Sequence, residues 1–356
     1  MKTYIHKTIT PPLITFSALF ILFITIGSCK KGEEPKFLKG YQQTNLVADT
    51  LGFNAAIIDN NLVNAWGMAV VPSGPIWISS NEKSLSVIYN SSGQTLFGPV
   101  TVLGGGSAPT GQVFNTTTSF VIPGTGKPAK FIFANEDGRI AGWNGGTDAG
   151  LVADGSKWDA VYKGIAIGND GTGNFLYATN FKGQKIDVFD SMFVHVTDKK
   201  FEDPHVPSDF GPFNIRNING YLYVTYAKLK GPDNEDDDAG PGNGFVDIFS
   251  TDGKLVKRFA SRGPLNSPWG ILPVPEGIDH VSNAILIGNF GDGRINVYDQ
   301  HGNFVGQLRD NYGHPIAIDG LWAIENNIPG AASPDQIFFT AGPDDESHGL
   351  FGYLSK

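Results

Sequence analysis

Asn180-Phe-Lys-Gly-Gln-Lys-Ile-Asp-Val-Phe-Asp190 and Asn289-Phe-Gly-Asp-Gly-Arg-Ile-Asn-Val-Tyr-Asp299 align without a gap at an offset of 109 residues. Each segment leaves an Asn, crosses a Gly-containing turn and enters a strand that alternates apolar and polar residues before an aromatic and an Asp. Alternation at period two is the signature of a half-buried strand. A turn and strand repeated at a fixed distance mark an internal repeat, and an internal repeat decides the architecture.

Working outward, comparable apolar strands end at Asn81, Asn135, Asn180, Tyr226, Asn289 and Ala341, 45 to 63 residues apart, so the offset of 109 is about two repeat units. A first strand precedes each in most units, as in Asn64-Ala-Trp66-Gly67, Lys163-Gly164-Ile165, Gly211-Pro-Phe213-Asn214, Ser267-Pro-Trp269-Gly270 and Asp319-Gly-Leu-Trp322. A third strand ends in an aromatic at Tyr89, Trp143, Phe189, Phe249, Tyr298 and Tyr353. Turns such as Asn90-Ser-Ser-Gly93 and Asp299-Gln-His-Gly302 lead into a fourth, with Gly supplying the positive φ of a hairpin. Four short antiparallel strands per unit predict an all-β fold, a six-bladed β-propeller with four-stranded blades. The sixth unit ends near Leu354 without a fourth strand, and Thr44-Asn-Leu-Val-Ala48 is expected to supply it and close the ring.

The N-terminus reads as an address. Lys2, His6 and Lys7 precede an apolar run over residues 13–26, too short to span a membrane and suited to a secretory signal. It ends in Ile26-Gly27-Ser28-Cys29, which resembles a bacterial lipobox and holds the only Cys of the chain. The expected organisation is a lipoprotein signal peptide over 1–28, a lipidated charged tether over 29–42 and a single propeller over 43–356. Acyl chains on Cys29 would anchor the protein by burying about 0.8 kcal/mol per CH₂. The expected location is therefore the cell envelope, at the outer membrane, on its periplasmic or surface face. One Cys excludes an intramolecular disulfide framework, and a net charge of −9 argues against nucleic acid as a partner.

The segments Asn61-Leu-Val-Asn-Ala-Trp-Gly67, Leu265-Asn-Ser-Pro-Trp-Gly270, Gly288-Asn-Phe-Gly-Asp-Gly293, Asp319-Gly-Leu-Trp322 and Ala341-Gly-Pro-Asp-Asp-Glu-Ser-His-Gly-Leu-Phe-Gly352 resemble a bacterial family of exported propellers, some carrying PEP-CTERM sorting tails. This chain departs from that pattern in its N-terminal lipobox and in lacking the tail. The resemblance implies architecture and export without a substrate. More distantly the chain is similar to NHL-repeat and gluconolactonase-like propellers.

In such a blade the loops joining strand 2 to strand 3 share a face with the inter-blade loops, and ligands usually bind there. That face gathers Asn64, Trp66, Asn81, Asn135, Glu136, Asn180, Tyr226, Trp269, Asn289, Asp292 and Trp322 as candidate binding residues. Trp66, Trp269 and Trp322 could stack on a sugar or fill the core. Glu136 could serve as acid or base, or simply occupy a solvated turn. Amide and carboxylate oxygens suit Ca²⁺, and the likeness to gluconolactonases singles out Asn81, Asn180 and Asn289 as metal ligands. Against that, a strand-end Asn commonly caps its own turn. The run Asp233-Asn-Glu-Asp-Asp-Asp238 lies in the longest repeat spacing and is expected as a mobile acidic loop between strands 2 and 3 of the fourth unit. The expected role is binding of a carbohydrate, another small molecule or an envelope protein, with a Ca²⁺-dependent hydrolase, lactonase or lyase as the alternative. The sequence has no Gly-x-Ser-x-Gly elbow, His-Glu-x-x-His or phosphate loop.

Overall fold

Strands and turns account for nearly the whole of the computed structural model, which describes residues 1–3 and 38–356. Cys29 and the apolar run before it lie outside the described residues. Two strands come first, β1 (Gln42–Ala48) and β2 (Ile57–Ile58). Next are β3 (Ala65–Val70), β4 (Ile76–Ser80), β5 (Leu85–Tyr89) and β6 (Thr95–Val102), then β7 (Pro109–Phe114), β8 (Phe131–Asn135), β9 (Arg139–Trp143) and β10 (Asp148–Asp154). They are followed by β11 (Tyr162–Asn169), β12 (Asn174–Asn180), β13 (Lys185–Phe189) and β14 (His195–Val196), and by β15 (Phe210–Ile218), β16 (Tyr221–Lys228), β17 (Gly244–Ser250) and β18 (Leu255–Ser261). The last are β19 (Pro268–Val274), β20 (Ala284–Asn289), β21 (Ile295–Tyr298), β22 (Phe304–Gln307), β23 (Leu321–Glu325), β24 (Ile337–Ala341) and β25 (Leu350–Ser355).

These strands form five sheets. Three are four-stranded meanders, β11 to β14, β15 to β18 and β19 to β22. An eight-stranded sheet joins the meander β3 to β6 to the meander β7 to β10 through a short parallel pairing of Thr101 and Val102 with Asp148 and Ala149. The fifth sheet runs β2-β1-β25-β24-β23, so the N-terminal strand pairs antiparallel with the C-terminal one, Gln42 opposite Ser355 and Ala48 opposite Leu350. The strands β3, β7, β11, β15, β19 and β23 pack side by side in that order, and β23 packs against β3. This radial arrangement of antiparallel sheets is a β-propeller.

Close approach of the innermost strands follows from small residues. A Cβ on Gly111 would lie 2.8 Å from the Cα of Gly164, and one on Gly164 would lie 2.3 Å from Oδ1 of Asn214. Neither distance is tolerable, so glycine is what lets β7, β11 and β15 sit edge to edge. Between neighbouring sheets the core is apolar: Ile132 and Ile140 pack with Ile165 and Leu176, and Ile271 and Ile287 with Val246 and Ile248. Each such side chain, fully buried, stabilises the fold by about 1.5–3 kcal/mol relative to exposure.

Two regions differ from expectation. Leu38 and Tyr41, within the stretch read as tether, are buried, and the Leu38 amide donates to Asp279 Oδ2 at 2.6 Å. The acidic insertion between β16 and β17 is not a free loop but is pinned at both ends. Leu229 is buried and pairs with Asp237, the Lys230 amide donates to the Asp236 carbonyl, and the Gly240 amide donates to Asn266 Oδ1 at 2.7 Å. Backbone pairing fixes a segment whose composition alone suggested solvation.

Candidate functional site

Where the innermost strands begin, aromatic rings fill the axis. Trp66 stacks on Trp322 at 3.7 Å between centroids, Phe290 stacks on the same indole at 3.9 Å, and Trp269 and Phe213 each approach it at 5.9 Å. All three Trp residues are buried. Two of the indole N–H groups are satisfied, Trp322 by Asn64 Oδ1 at 2.9 Å and Trp269 by the Lys163 carbonyl at 3.3 Å. Trp66 Nε1 is buried with no hydrogen-bond partner.

Above this plug, on the face of the strand 2 to 3 loops, lies a continuous polar chain. Asn64 Nδ2 donates to Glu346 Oε2 at 2.6 Å and to Asn81 Oδ1 at 3.4 Å. Asn81 Nδ2 donates to Glu136 Oε2 at 3.0 Å, and Glu136 Oε1 is ion-paired with Lys163. The Lys163 ammonium lies 5.2 Å over the Trp66 ring and 3.8 Å from Asp236 of the acidic insertion. The side chain of Lys163 is 2% exposed, those of Glu136 and Asp236 28% and 73%. A buried cation thus supports a rim that solvent can reach.

The charges explain each other. Burial pulls the Lys163 pKa down, but Glu136, and then Asp236 and Glu346, more than offset it, so the ammonium is held charged. Burial pushes the Glu346 carboxyl up to about 7, with Lys163 opposing and Glu136 adding to the rise. Asp237, half-buried in the acidic insertion, is also raised by burial, with Lys163 opposing. Two carboxylates, Glu136 and Asp236, therefore pair with one ammonium, and Glu346 beyond them changes charge near neutral pH.

No family model matches the chain. Uncharacterized protein R648 of Acanthamoeba polyphaga mimivirus is 35% identical over 317 residues, which cover 85% of this chain and 77% of that protein. Uncharacterized protein L690 of the same virus is 33% identical over 322 residues, 85% of this chain and 82% of that one. The chain belongs to the family of these viral proteins. Among solved structures, a structural genomics protein of unknown function from Bacteroides thetaiotaomicron VPI-5482 matches this member of the family with a TM-score of 0.57 at 10% identity, over 88% of this chain and 76% of that one. Streptogramin B lyase matches with a TM-score of 0.51 at 12% identity, over 88% and 97%. At such identities these likenesses speak for the propeller fold alone.

Within this family member the strand-end asparagines do different work. Asn64 and Asn81 join the mouth with Glu136, and Trp66, Trp269 and Trp322 form the plug beneath it. Asn180 stays in its own turn: its Oδ1 accepts from the Val161 and Gly183 amides, and its Nδ2 donates to Asp187 at 3.0 Å. Asn289 donates to Asp292 and to the Pro264 carbonyl, and Asn135 to the Arg139 carbonyl. Tyr226 packs in the core with Phe210 and Phe245. Asn81, Asn180 and Asn289 are thus not linked in one network. Among the described residues no group of three or more His, Cys, Asp or Glu side chains is arranged to hold a metal ion.

Lys163, Glu346, Asp236 and Asp237 were absent from the sequence-derived set. A signal existed for Lys163, which occupies the place in its first strand that Trp66, Phe213, Trp269 and Trp322 occupy in theirs. Four of the six first strands carry an aromatic at this place and β7 carries Thr110, so a charged side chain there stands apart.

Proposed function

We propose that the protein is a six-bladed propeller held at a cell envelope by lipid on Cys29, and that its strand 2 to 3 mouth binds a small hydroxylated ligand bearing a protonated amine. The blade count is supported by the closed order of β3, β7, β11, β15, β19 and β23, with β1 completing the sheet of β23 to β25. Export and anchoring rest on the Ile26-Gly27-Ser28-Cys29 segment and on the resemblance to exported bacterial propellers, and the charged stretch after Cys29 supports an outer-membrane location. The ligand reading rests on one observation: Glu136 and Asp236 both pair with the single Lys163 ammonium while Glu346 is held nearby through Asn64, so the mouth carries more carboxylates than cations. A cationic amine completes that electrostatic balance, and the solvent-reached carboxylates of Glu136 and Asp236 can accept from hydroxyls.

The test uses the full chain in lipid nanodiscs, titrated with glucosamine, glucose and glucuronate by calorimetry. Amine binding at least tenfold tighter than the neutral sugar, and weakened at least tenfold by Glu136→Gln, is expected. Equal affinity for the neutral and amine sugars would refute the ligand reading. Since Glu346 loses its proton as pH rises through about 7, affinity for the amine should strengthen from pH 5 to 7, below the range of about 7.7–8.0 where such an amine gives up its own proton. For the anchor, Cys29→Ser is expected to abolish acyl labelling and release the protein from membranes, and continued labelling would refute it.

A further inference from the structure

A second cavity lies at the other end of the innermost strands. Past the aromatic plug, where β3, β7, β11, β15, β19 and β23 run toward their C-terminal ends, they surround a cavity of about 410 Å³ whose floor includes Trp269. Its rim reaches Pro72 and Thr116, which are exposed. None of the carboxylates of the opposite mouth lines it.

Innermost propeller strands present an unpaired edge to the axis, and free carbonyls there would ordinarily hold water. Here side chains take that role. Gln112 Nε2 donates to the Gly67 and Trp77 carbonyls, Asn214 Nδ2 to the Trp269 carbonyl, Asn217 Nδ2 to the Ile167 carbonyl and Arg216 Nη1 to the Ile271 carbonyl, at 2.7–2.9 Å. The polar lining groups are thereby spent on the scaffold. Aliphatic and aromatic side chains, including the partly buried Val113, Phe114 and Ile167, share the lining with these neutralised polar groups. The one charged pair, Arg216 with both oxygens of Glu325 at 3.0 and 2.8 Å, is closed on itself and sums to zero charge.

We propose that this cavity is a second binding site, for an uncharged small molecule whose apolar body lies against β7, β11 and β23 and whose polar end meets the Arg216–Glu325 pair. An ion gains nothing there, because neither charge is free and burial without a partner is costly. The volume falls within the range of about 300–1,000 Å³ typical of ligand pockets. The site is independent of the amine-binding mouth, with the plug between them.

The probe is a neutral aryl diazirine, 3-trifluoromethyl-3-phenyldiazirine, photolysed with the full chain in nanodiscs and mapped by peptide mass spectrometry. Labelling of the segments 111–116, 165–167 and 323–325 is expected to saturate with probe. Excess trifluoromethylbenzene should reduce it at least tenfold, whereas benzoate should leave it unchanged. Ala166→Phe, which narrows the cavity, should abolish this labelling, while Glu136→Gln at the other mouth should not alter it. The competition arm stands on the unmodified protein, so a folding defect in the variant does not blunt the test. Labelling that never saturates, or that is no greater than at the exposed Phe97 and Met192, would overturn the proposal, as would equal competition by benzoate.

Discussion

The two ends of the channel are built from the same six strands yet offer opposite chemistry. At the start of those strands Lys163 is buried among Glu136, Asp236 and Glu346. Toward their ends Arg216 and Glu325 pair at a partly exposed rim, their side chains 30% and 18% exposed, over a cavity of mixed lining. The difference teaches that charge is costly or cheap according to what lies beneath it. At the first end the aromatic plug walls the Lys163 ammonium off from water, so the rim carboxylates must satisfy it. At the second, hydrogen bonds to strand carbonyls consume the polar donors, and the one ion pair is closed on itself.

The harshest way to break this comparison is to remove the partition. Trp322→Ala deletes the ring that Trp66 and Phe290 stack on, and should lower stability by about 3–5 kcal/mol in urea unfolding. It should also disturb binding at both ends. Next, Lys163→Met leaves Glu136 without its partner and should cost about 3–5 kcal/mol, as breaking a buried pair does. Arg216→Met at the solvent-touched end should cost less, about 1–3 kcal/mol, because water can take over part of its role. Equal losses for these two variants would mean that the ends do not differ in burial as described.

pH sharpens the contrast. Because the folded-state pKa of Glu346 is about 7, above its ordinary 4.5, the folded state holds a proton that the unfolded chain gives up in that interval. Its contribution is present below about 4.5 and is lost as pH rises through about 7. Thermal unfolding followed from pH 4.5 to 8 should show this decline, and Glu346→Gln should flatten it. A residual slope at lower pH is expected from Asp247, which burial raises to about 6 although Arg258 pairs with it. The smallest effect separates two asparagines at matching repeat positions. Asn180→Ala should cost about 1 kcal/mol of stability with ligand binding intact. Asn81→Ala should weaken amine binding, measured by the same calorimetry.

Much of the architecture was legible because it is periodic. Six second strands ending at matching places, aromatic ends to the third strands and an unpaired N-terminal strand reappear as β4, β8, β12, β16, β20, β24 and the pairing of β1 with β25. The mouth was only half legible. Asn64, Asn81 and Glu136 could be nominated from loop position, but so could Asn180 and Asn289, which turn back into their own hairpins. Little local separates Asn81 from Asn180, both at the ends of buried strands, and only the carboxylate brought up by the neighbouring meander β7 to β10 gives Asn81 a different partner.

By itself the sequence determined the strand order, the repeat and the small residues that let innermost strands approach, since these depend on alternation, turn chemistry and Cβ sterics within a few residues. Only the tertiary structure decided that Lys163 is buried, that Glu346 titrates near neutrality, that the acidic insertion is pinned over the mouth and that a cavity opens at the far end. Those properties arise from groups that are distant along the chain, as Asn64 and Glu346 are, and become neighbours when the sheets close around an axis. Burial and mutual charge, which set their chemistry, do not exist before that closure.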